Sequence, residues 1–340
     1  MKLFTSAFAT LALAVAAVNG SSMMRQETEA GDPCNLTGTY QVGTDISSCS
    51  TVTIGPLAVP AGVTFDLTKA KNGATIIFTG TTTFGNAKWA GPLVALTGNS
   101  LTVKGSGTLD GQGDWYWKQG ESITRPVFFK VQSVIGSNLS GFTIKNSPFR
   151  TFSIVTSVQT TLSGLTLDSR AGNGLAQNTD GFDMTKNDHV TITGNTIYNQ
   201  DDCLAMQSST NTIFSNNLCS GSHGISGNTI QNSDNGLRIK TLIGMKGLVT
   251  NVKYINNQLQ NVENAIAIHS DYSRSTGAYT GAPTSQVTIS DITVDGLTGT
   301  ADQIYDIVVN PDVVSGWTFK GITVKGAKGT CKGQPSGVTC

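Results

Sequence analysis

The sequence predicts an all-β, single-domain parallel β-helix, and three observations carry that prediction. Short strand-like segments recur with one shape, no long stretch has helical periodicity, and two acidic motifs and a histidine repeat at about one interval. Gly141-Phe142-Thr143-Ile144-Lys145-Asn146 resembles Gly164-Leu165-Thr166-Leu167-Asp168-Ser169, and Gly194-Asn195-Thr196-Ile197-Tyr198-Asn199 resembles Gly227-Asn228-Thr229-Ile230-Gln231-Asn232. Later copies include Asn256-Asn257-Gln258-Leu259, Asp291-Ile292-Thr293-Val294 and Gly321-Ile322-Thr323-Val324. Apolar and polar residues alternate within each copy, as strands require, and the Gly, Asn and Ser between copies are turn formers. Internal repetition of this kind marks a solenoid, with a β-sandwich as the alternative on strand pattern alone.

The spacing of the copies exposes one irregularity. They begin at Gly141, Gly164, Gly194, Ser215, Gly227, Asn256, Asp291 and Gly321, and the step from Ser215 to Gly227 is far shorter than any other. Twelve residues reach at most about 40 Å when fully extended, too little for a normal coil of three strands and three turns. One coil is therefore expected to be shortened near residues 224–228.

Composition bounds the function. The 340 residues carry 22 Lys and Arg against 22 Asp and Glu, so no global basic field gathers nucleic acid. Any anionic ligand must be met by a few local cations. Residues 1–20 read as a secretory signal: Lys2, a largely apolar run from Leu3 to Val18, then Val18-Asn19-Gly20. The apolar run is short for a membrane span and no comparable segment follows. Residues 21–30 are polar and read as a brief propeptide, which leaves 31–340 as the parallel β-helix domain. Cysteines 34, 49, 203, 219, 331 and 340 fall into three sequence-local couples. Pairing 34–49, 203–219 and 331–340 is the simplest of many connectivities. Asn35-Leu36-Thr37 and Asn138-Leu139-Ser140 are glycosylation acceptors, in keeping with export.

The motifs with chemical content are Asn178-Thr179-Asp180, Gln200-Asp201-Asp202-Cys203 and Gly221-Ser222-His223-Gly224. Asp180, Asp201 and His223 are almost evenly spaced along the chain. In a solenoid, residues one coil apart stack on neighbouring strands about 4.8 Å apart. Carboxylates and a histidine then share one wall, as acid/base cleavage of a glycosidic bond needs. Asp201 and Asp202 are consecutive, so both reach one cleft only where a strand end or bulge re-aims one of them. Arg238 and Lys240 are two apart, hence on one strand face, and suit a polyanionic sugar. Each motif alone has a plainer reading as a turn, a structural histidine or a surface ion pair. Their coincidence at coil spacing favours a site. Asn195, Asn216 and Asn228 read as turn-stabilising ladders, and Trp115 and Trp117 with Tyr116 as core plugs.

These motifs, together with Arg238-Ile239-Lys240 and Asp271-Tyr272, resemble the fungal and oomycete endopolygalacturonases, pectin-cleaving glycoside hydrolases built on a right-handed parallel β-helix. The resemblance runs from about Cys34 to Cys340. It implies inverting hydrolysis of α-1,4-galacturonan with no cofactor and no metal. By resemblance, Asp201 is the general acid, Asp180 and Asp202 hold and deprotonate water, and His223 tunes the acid or binds sugar. Asn178, Arg238, Lys240 and Tyr272 would bind substrate, and a plant inhibitor protein is a plausible partner of a monomeric enzyme. Inversion by two carboxyl groups ordinarily places them roughly 6.5–9.5 Å apart.

Two departures from the family pattern stand out. Ser222 occupies a position where the family has glycine, and His223 and Arg238 lie about half as far apart along the chain as in the family. The short segment coincides with the short repeat that begins at Ser215, and puts the height of Arg238 and Lys240 in question. Alternatives are a catalytically impaired pectin-binding paralogue or mis-spliced form, an exo-acting or rhamnogalacturonan hydrolase, and a calcium-dependent pectate lyase.

Overall fold

The computed structural model describes residues 32–172, 174–220 and 228–340. The signal and propeptide segments, His223 and most of the expected short coil lie outside them. Residues 32–340 form one compact unit. It is the right-handed parallel β-helix expected from the sequence.

Parallel strands stack coil upon coil into two sheets. A six-stranded sheet contains Phe65–Leu67, Val94–Asn99, Phe129–Ile135, Phe152–Val155, Phe182–Asp188 and Leu204–Thr210. A twenty-stranded sheet covers the remaining sides, and its four long strands, Thr229–Leu242, Lys246–Ser273, Gln286–Val308 and Thr318–Lys332, bend around the corners.

Alternation explains both sheets. In Thr161-Leu162-Ser163 and Thr191-Ile192-Thr193 only the middle residue is buried, and in-register pairing stacks Leu139, Leu162, Ile192 and Phe214 along the axis. Phe129, Phe152 and Phe182 form an inward aromatic column in the six-stranded sheet, with ring centroids 5.3 and 5.2 Å apart. Turns follow from residue chemistry: Asn146, Asn216, Asn232 and Asn256 all take the left-handed conformation that asparagine tolerates.

Buried asparagines tie the coils together. Backbone N–H groups of Leu165, Asn195, Asn217 and Asn228 donate to the side-chain oxygens of Asn195, Asn217, Asn228 and Asn257 respectively, at 2.8–3.2 Å. Two rungs match the sequence reading, but Asn217 replaces Asn216, which makes the turn instead. Trp117 and Tyr116 are buried as expected, whereas Trp115 is 38% exposed, pushed to the surface by the helical turn Gly113–Trp117.

The short coil has a clear register. Leu218–Ser220 pairs directly with Thr229–Gln231, so that Thr229 stands opposite Leu218. The preceding step runs from Thr196 to Leu218 and the next from Thr229 to Gln258, each at least twice as long in chain. The twenty-stranded sheet thus continues from one described strand to the next, and among the described residues the six-stranded sheet ends at Leu204–Thr210. Met206 shows the consequence: it pairs with fully buried Met184, yet is 43% exposed.

Candidate active site

Residues 199–203 fall between the strands Thr196–Tyr198 and Leu204–Thr210 and form bends, not strand. This irregular backbone lets consecutive Asp201 and Asp202 approach one cleft. Asn199 Nδ2 holds the bend by donating to the carbonyls of Asp201 and Asp202, both at 3.0 Å. The Asp202 N–H donates to Asp201 Oδ1 at 2.8 Å, and Gly181 N–H donates to the Asp202 carbonyl at 2.8 Å. That last bond places Asp202 beside Asp180 on the preceding coil. One carboxylate oxygen each from Asp180, Asp201 and Asp202 lies within 4.8 Å of the others.

This is the nearest-oxygen approach within the cluster, a different quantity from the roughly 6.5–9.5 Å between the carboxyl groups of an inverting pair. Stacking of adjacent coils about 4.8 Å apart brings Asp180 beside Asp202, and the bend brings in Asp201. Three crowded carboxylates also resist ionisation. Burial first, and then the charges of Asp183, Asp201 and Asp202, push Asp180 up to about 8. Burial raises Asp183 to about 7, opposed by Arg150, whose Nε lies 3.5 Å from Asp183 Oδ2. Sequence reasoning missed Asp183, although it follows Asp180 by three residues and sits in register between Ser153 and Ala205.

A stability prediction follows. Both carboxyls bind a proton more tightly folded than unfolded, so their contribution is full below the ordinary value of 3.8 and is lost as pH rises through about 7–8. Calorimetry should show Tm falling between pH 4 and 8, and Asp180→Asn should flatten that fall. An unchanged slope in the variant would refute the assignment.

Arg238 and Lys240 reach this cluster despite the short coil. Arg238 Nη1 lies 3.8 Å from Asp202 Oδ1, and Lys240 Nζ lies 3.9 Å from Asp202 Oδ2. Both project from Thr229–Leu242. Tyr272, half-buried, packs its ring 4.9 Å from Lys240 Nζ. Asn178 has both ends of its amide engaged: Oδ1 accepts from Arg125 Nη2 at 3.0 Å, and Nδ2 donates to Asp201 Oδ2 at 3.3 Å. Arg125, largely buried, also donates to the Gln177 carbonyl at 2.8 Å. No sequence motif marked Arg125, because it lies 53 residues before its partner. His223 falls outside the described residues.

Cys34 is bonded to Cys49, Cys203 to Cys219 and Cys331 to Cys340. The Cys203–Cys219 bond anchors the end of the Asp201–Asp202 bend inside the core. Asn35 and Asn138 are both exposed.

Comparison with known proteins gives the decisive observation: the profile of Glycosyl hydrolases family 28 matches residues 49–340. The chain belongs to glycosyl hydrolase family 28. Among family 28 relatives, endopolygalacturonase I of Aspergillus oryzae is 39% identical over 364 aligned positions, covering 98% of each chain. The probable endopolygalacturonase B of Aspergillus fumigatus is 37% identical over 370 positions, covering 100% of both. This chain is shorter than that alignment, so part of the alignment faces gaps in it, by about the size of one coil. Among solved structures, endopolygalacturonase I from Stereum purpureum, complexed with two galacturonate, matches with a TM-score of 0.76. It is 29% identical, over 88% of this chain and 96% of that one. The endo-xylogalacturonan hydrolase from Aspergillus tubingensis matches with a TM-score of 0.72 at 25% identity, over 90% of this chain and 98% of its own.

Proposed function

We propose that this family 28 chain is a secreted endopolygalacturonase that hydrolyses the α-1,4 bonds of polygalacturonate. One observation carries the reading: an acid cluster of Asp180, Asp201 and Asp202 facing the paired cations Arg238 and Lys240. A neutral-sugar hydrolase has no use for two cations beside its acids, whereas galacturonate brings a carboxylate on every residue.

In this mechanism Asp201 gives its proton to the glycosidic oxygen as the C1–O bond breaks. Asp202 takes the proton of a water that Asp180, itself protonated below about 8, helps to hold, as the water oxygen bonds to C1. Inversion rests on the family resemblance, since the nearest-oxygen spacing does not assign it. Asn178, locked between Arg125 and Asp201, orients the acid. Arg238 and Lys240 receive a substrate carboxylate, Tyr272 contacts the adjacent sugar, and His223 tunes the acid. The three carboxylates could also ligate a cation, but the protein itself supplies compensating charge through Arg238 and Lys240. Residues 1–20 act as the export signal and 21–30 as a propeptide ahead of domain 31–340. Asn35 and Asn138 are available for glycosylation. Disulfide-tied ends at Cys34–Cys49 and Cys331–Cys340 support a monomer. A plant inhibitor protein as partner rests on the resemblance alone.

The second reading, an impaired pectin-binding paralogue, is favoured by the shortened coil and exposed Met206. The purified protein acting on polygalacturonate separates the two. Reducing ends without unsaturated product, undiminished by chelator and with the β-anomer formed first by proton NMR, are the expected result. Binding without reducing ends would establish the paralogue. Unsaturated, chelator-sensitive products would establish a lyase, and release of single sugars from chain ends an exo-acting enzyme.

A further inference from the structure

His269 is buried, 3% exposed, on the strand Lys246–Ser273, and none of the chemistry above uses it. Its ring lies between two carboxylates. Nδ1 is hydrogen-bonded to Asp271 Oδ1 at 2.8 Å. Nε2 is 2.9 Å from Asp306 Oδ2, close enough for an ion pair though not aligned as a hydrogen bond. Asp306 comes from the next coil, where it pairs in register with Ala267.

The ring face is occupied as well. It stacks on Tyr279, centroids 3.7 Å apart with planes at 12°. Tyr279 belongs to the short strand Ala278–Tyr279, which folds back antiparallel onto Tyr272–Ser273. The Tyr279 hydroxyl accepts a hydrogen bond from Arg238 Nε at 3.1 Å. Asp271 anchors the same hairpin: its carbonyl accepts from Thr280 N–H at 3.0 Å, and its Oδ2 accepts from Gly281 N–H. A continuous chain of contacts therefore runs from Asp306 and Asp271 through His269 and Tyr279 to Arg238 beside Asp202.

We propose that His269 is a positioning residue: protonated, it clamps Asp271 to Asp306 and seats Tyr279 against Arg238, fixing the guanidinium that receives a substrate carboxylate. The substrate clause rests on the proposed function; the clamp does not. A protonated imidazole donates from both nitrogens, whereas the neutral ring donates from one and turns a lone pair toward the other carboxylate. Loss of the proton therefore sets Asp271 or Asp306 against the ring and loosens the hairpin.

The groups packed around His269 support a ring that keeps its proton. Asp271 faces it from its own strand, Asp306 from the following coil and the uncharged Tyr279 ring from the hairpin. On the preceding coil Lys240 is its register partner, but the Lys240 ammonium is 3.9 Å from Asp202, and Arg238 likewise points to Asp202. Burial alone would push the imidazole down, but Asp306 and Asp271 outweigh it and hold it above the ordinary 6.5.

The test combines imidazole NMR with binding of a galacturonate oligomer. The His269 resonance should titrate above 6.5, and Asp306→Asn should lower its midpoint. The Arg238 Nε–H resonance should shift with that same midpoint. KM for the oligomer should rise as pH passes through it, and His269→Gln should raise KM at acid pH roughly five- to tenfold, remove the pH dependence and change kcat less. Where turnover is absent, the calorimetric Kd of the oligomer replaces KM. A midpoint at or below 6.5, or an Arg238 resonance indifferent to it, overturns the proposal. A coupled Arg238 resonance without galacturonate binding would uphold the clamp and overturn the substrate reading.

Discussion

Asp201→Asn is expected to reduce turnover on polygalacturonate by about 100- to 10,000-fold, the usual contribution of a general acid, with little change in KM. The substitution is nearly isosteric and keeps an oxygen for the Asp202 N–H, which now donates to Asp201 Oδ1 at 2.8 Å. The variant also loses the long 3.3 Å hydrogen bond that Asn178 Nδ2 donates to Asp201 Oδ2, but the main loss is the proton for the leaving oxygen. A substrate whose leaving group needs no proton, such as a nitrophenyl galacturonide oligomer, should recover most of the rate. Asp202→Asn should lose a comparable factor without that recovery, because its task is at the water. A less than tenfold loss in Asp201→Asn, or equal recovery in both variants, would reverse or remove the assignment.

Phe182→Ala is the largest expected stability effect, about 3–5 kcal/mol from lost transfer and the cavity left behind. Phe182 is fully buried, its ring is 5.2 Å from that of Phe152 at an interplanar angle of 8°, and it contacts Phe214 at 6.3 Å. It also lies between Gly181, whose N–H holds the Asp202 carbonyl, and Asp183. The cavity should therefore unfold the protein earlier in denaturant and lower the turnover of the molecules that remain folded. Phe142→Ala supplies the control: Phe142 is equally buried, packed on Phe78 at 5.1 Å, but belongs to a turn away from the acids. It should lose similar stability and keep its turnover per folded molecule. Equal losses of turnover in both variants would mean that general loosening, not the placement of Asp180 and Asp202, sets the rate.

Much of this architecture was legible because strand alternation is a local property. Leu162, Ile192 and Ile197 each sit alone among polar neighbours, and each is inward. The Asp180–Asp201 spacing was legible for a related reason: in a solenoid, distance along the chain maps onto height. What escaped were contacts that cross coils through side chains. Arg125 reaches Asn178 across 53 residues and Arg238 reaches Tyr279 across 41, intervals that no repeat announces. Trp115 departs from its expected place because a single helical turn breaks the alternation that positions its neighbours. Asn216 and Asn217 could not be told apart from sequence, since the turn and the rung favour the same residue type. The reach of Arg238 and Lys240 to Asp202 depended on how the short coil is absorbed, which is a matter of register and not of composition.

The asparagine rungs carry an implication for descent. Asn217 passes its hydrogen bond to Asn228 across the shortened coil at 2.8 Å, and Asn228 passes its own on to Asn257 at 3.2 Å. A loss of residues here keeps the column intact only where it brings another asparagine under the vacated amide. The ladder therefore works as an escapement for the backbone: a change of length here re-engages the column only by a jump that brings another side-chain oxygen under the buried N–H. The buried Asn228 and Asn257 Nδ2 groups themselves find no partner among the described residues. Gene variants of this chain should differ in this region by whole rungs, while point substitutions accumulate freely on the outer turns between them.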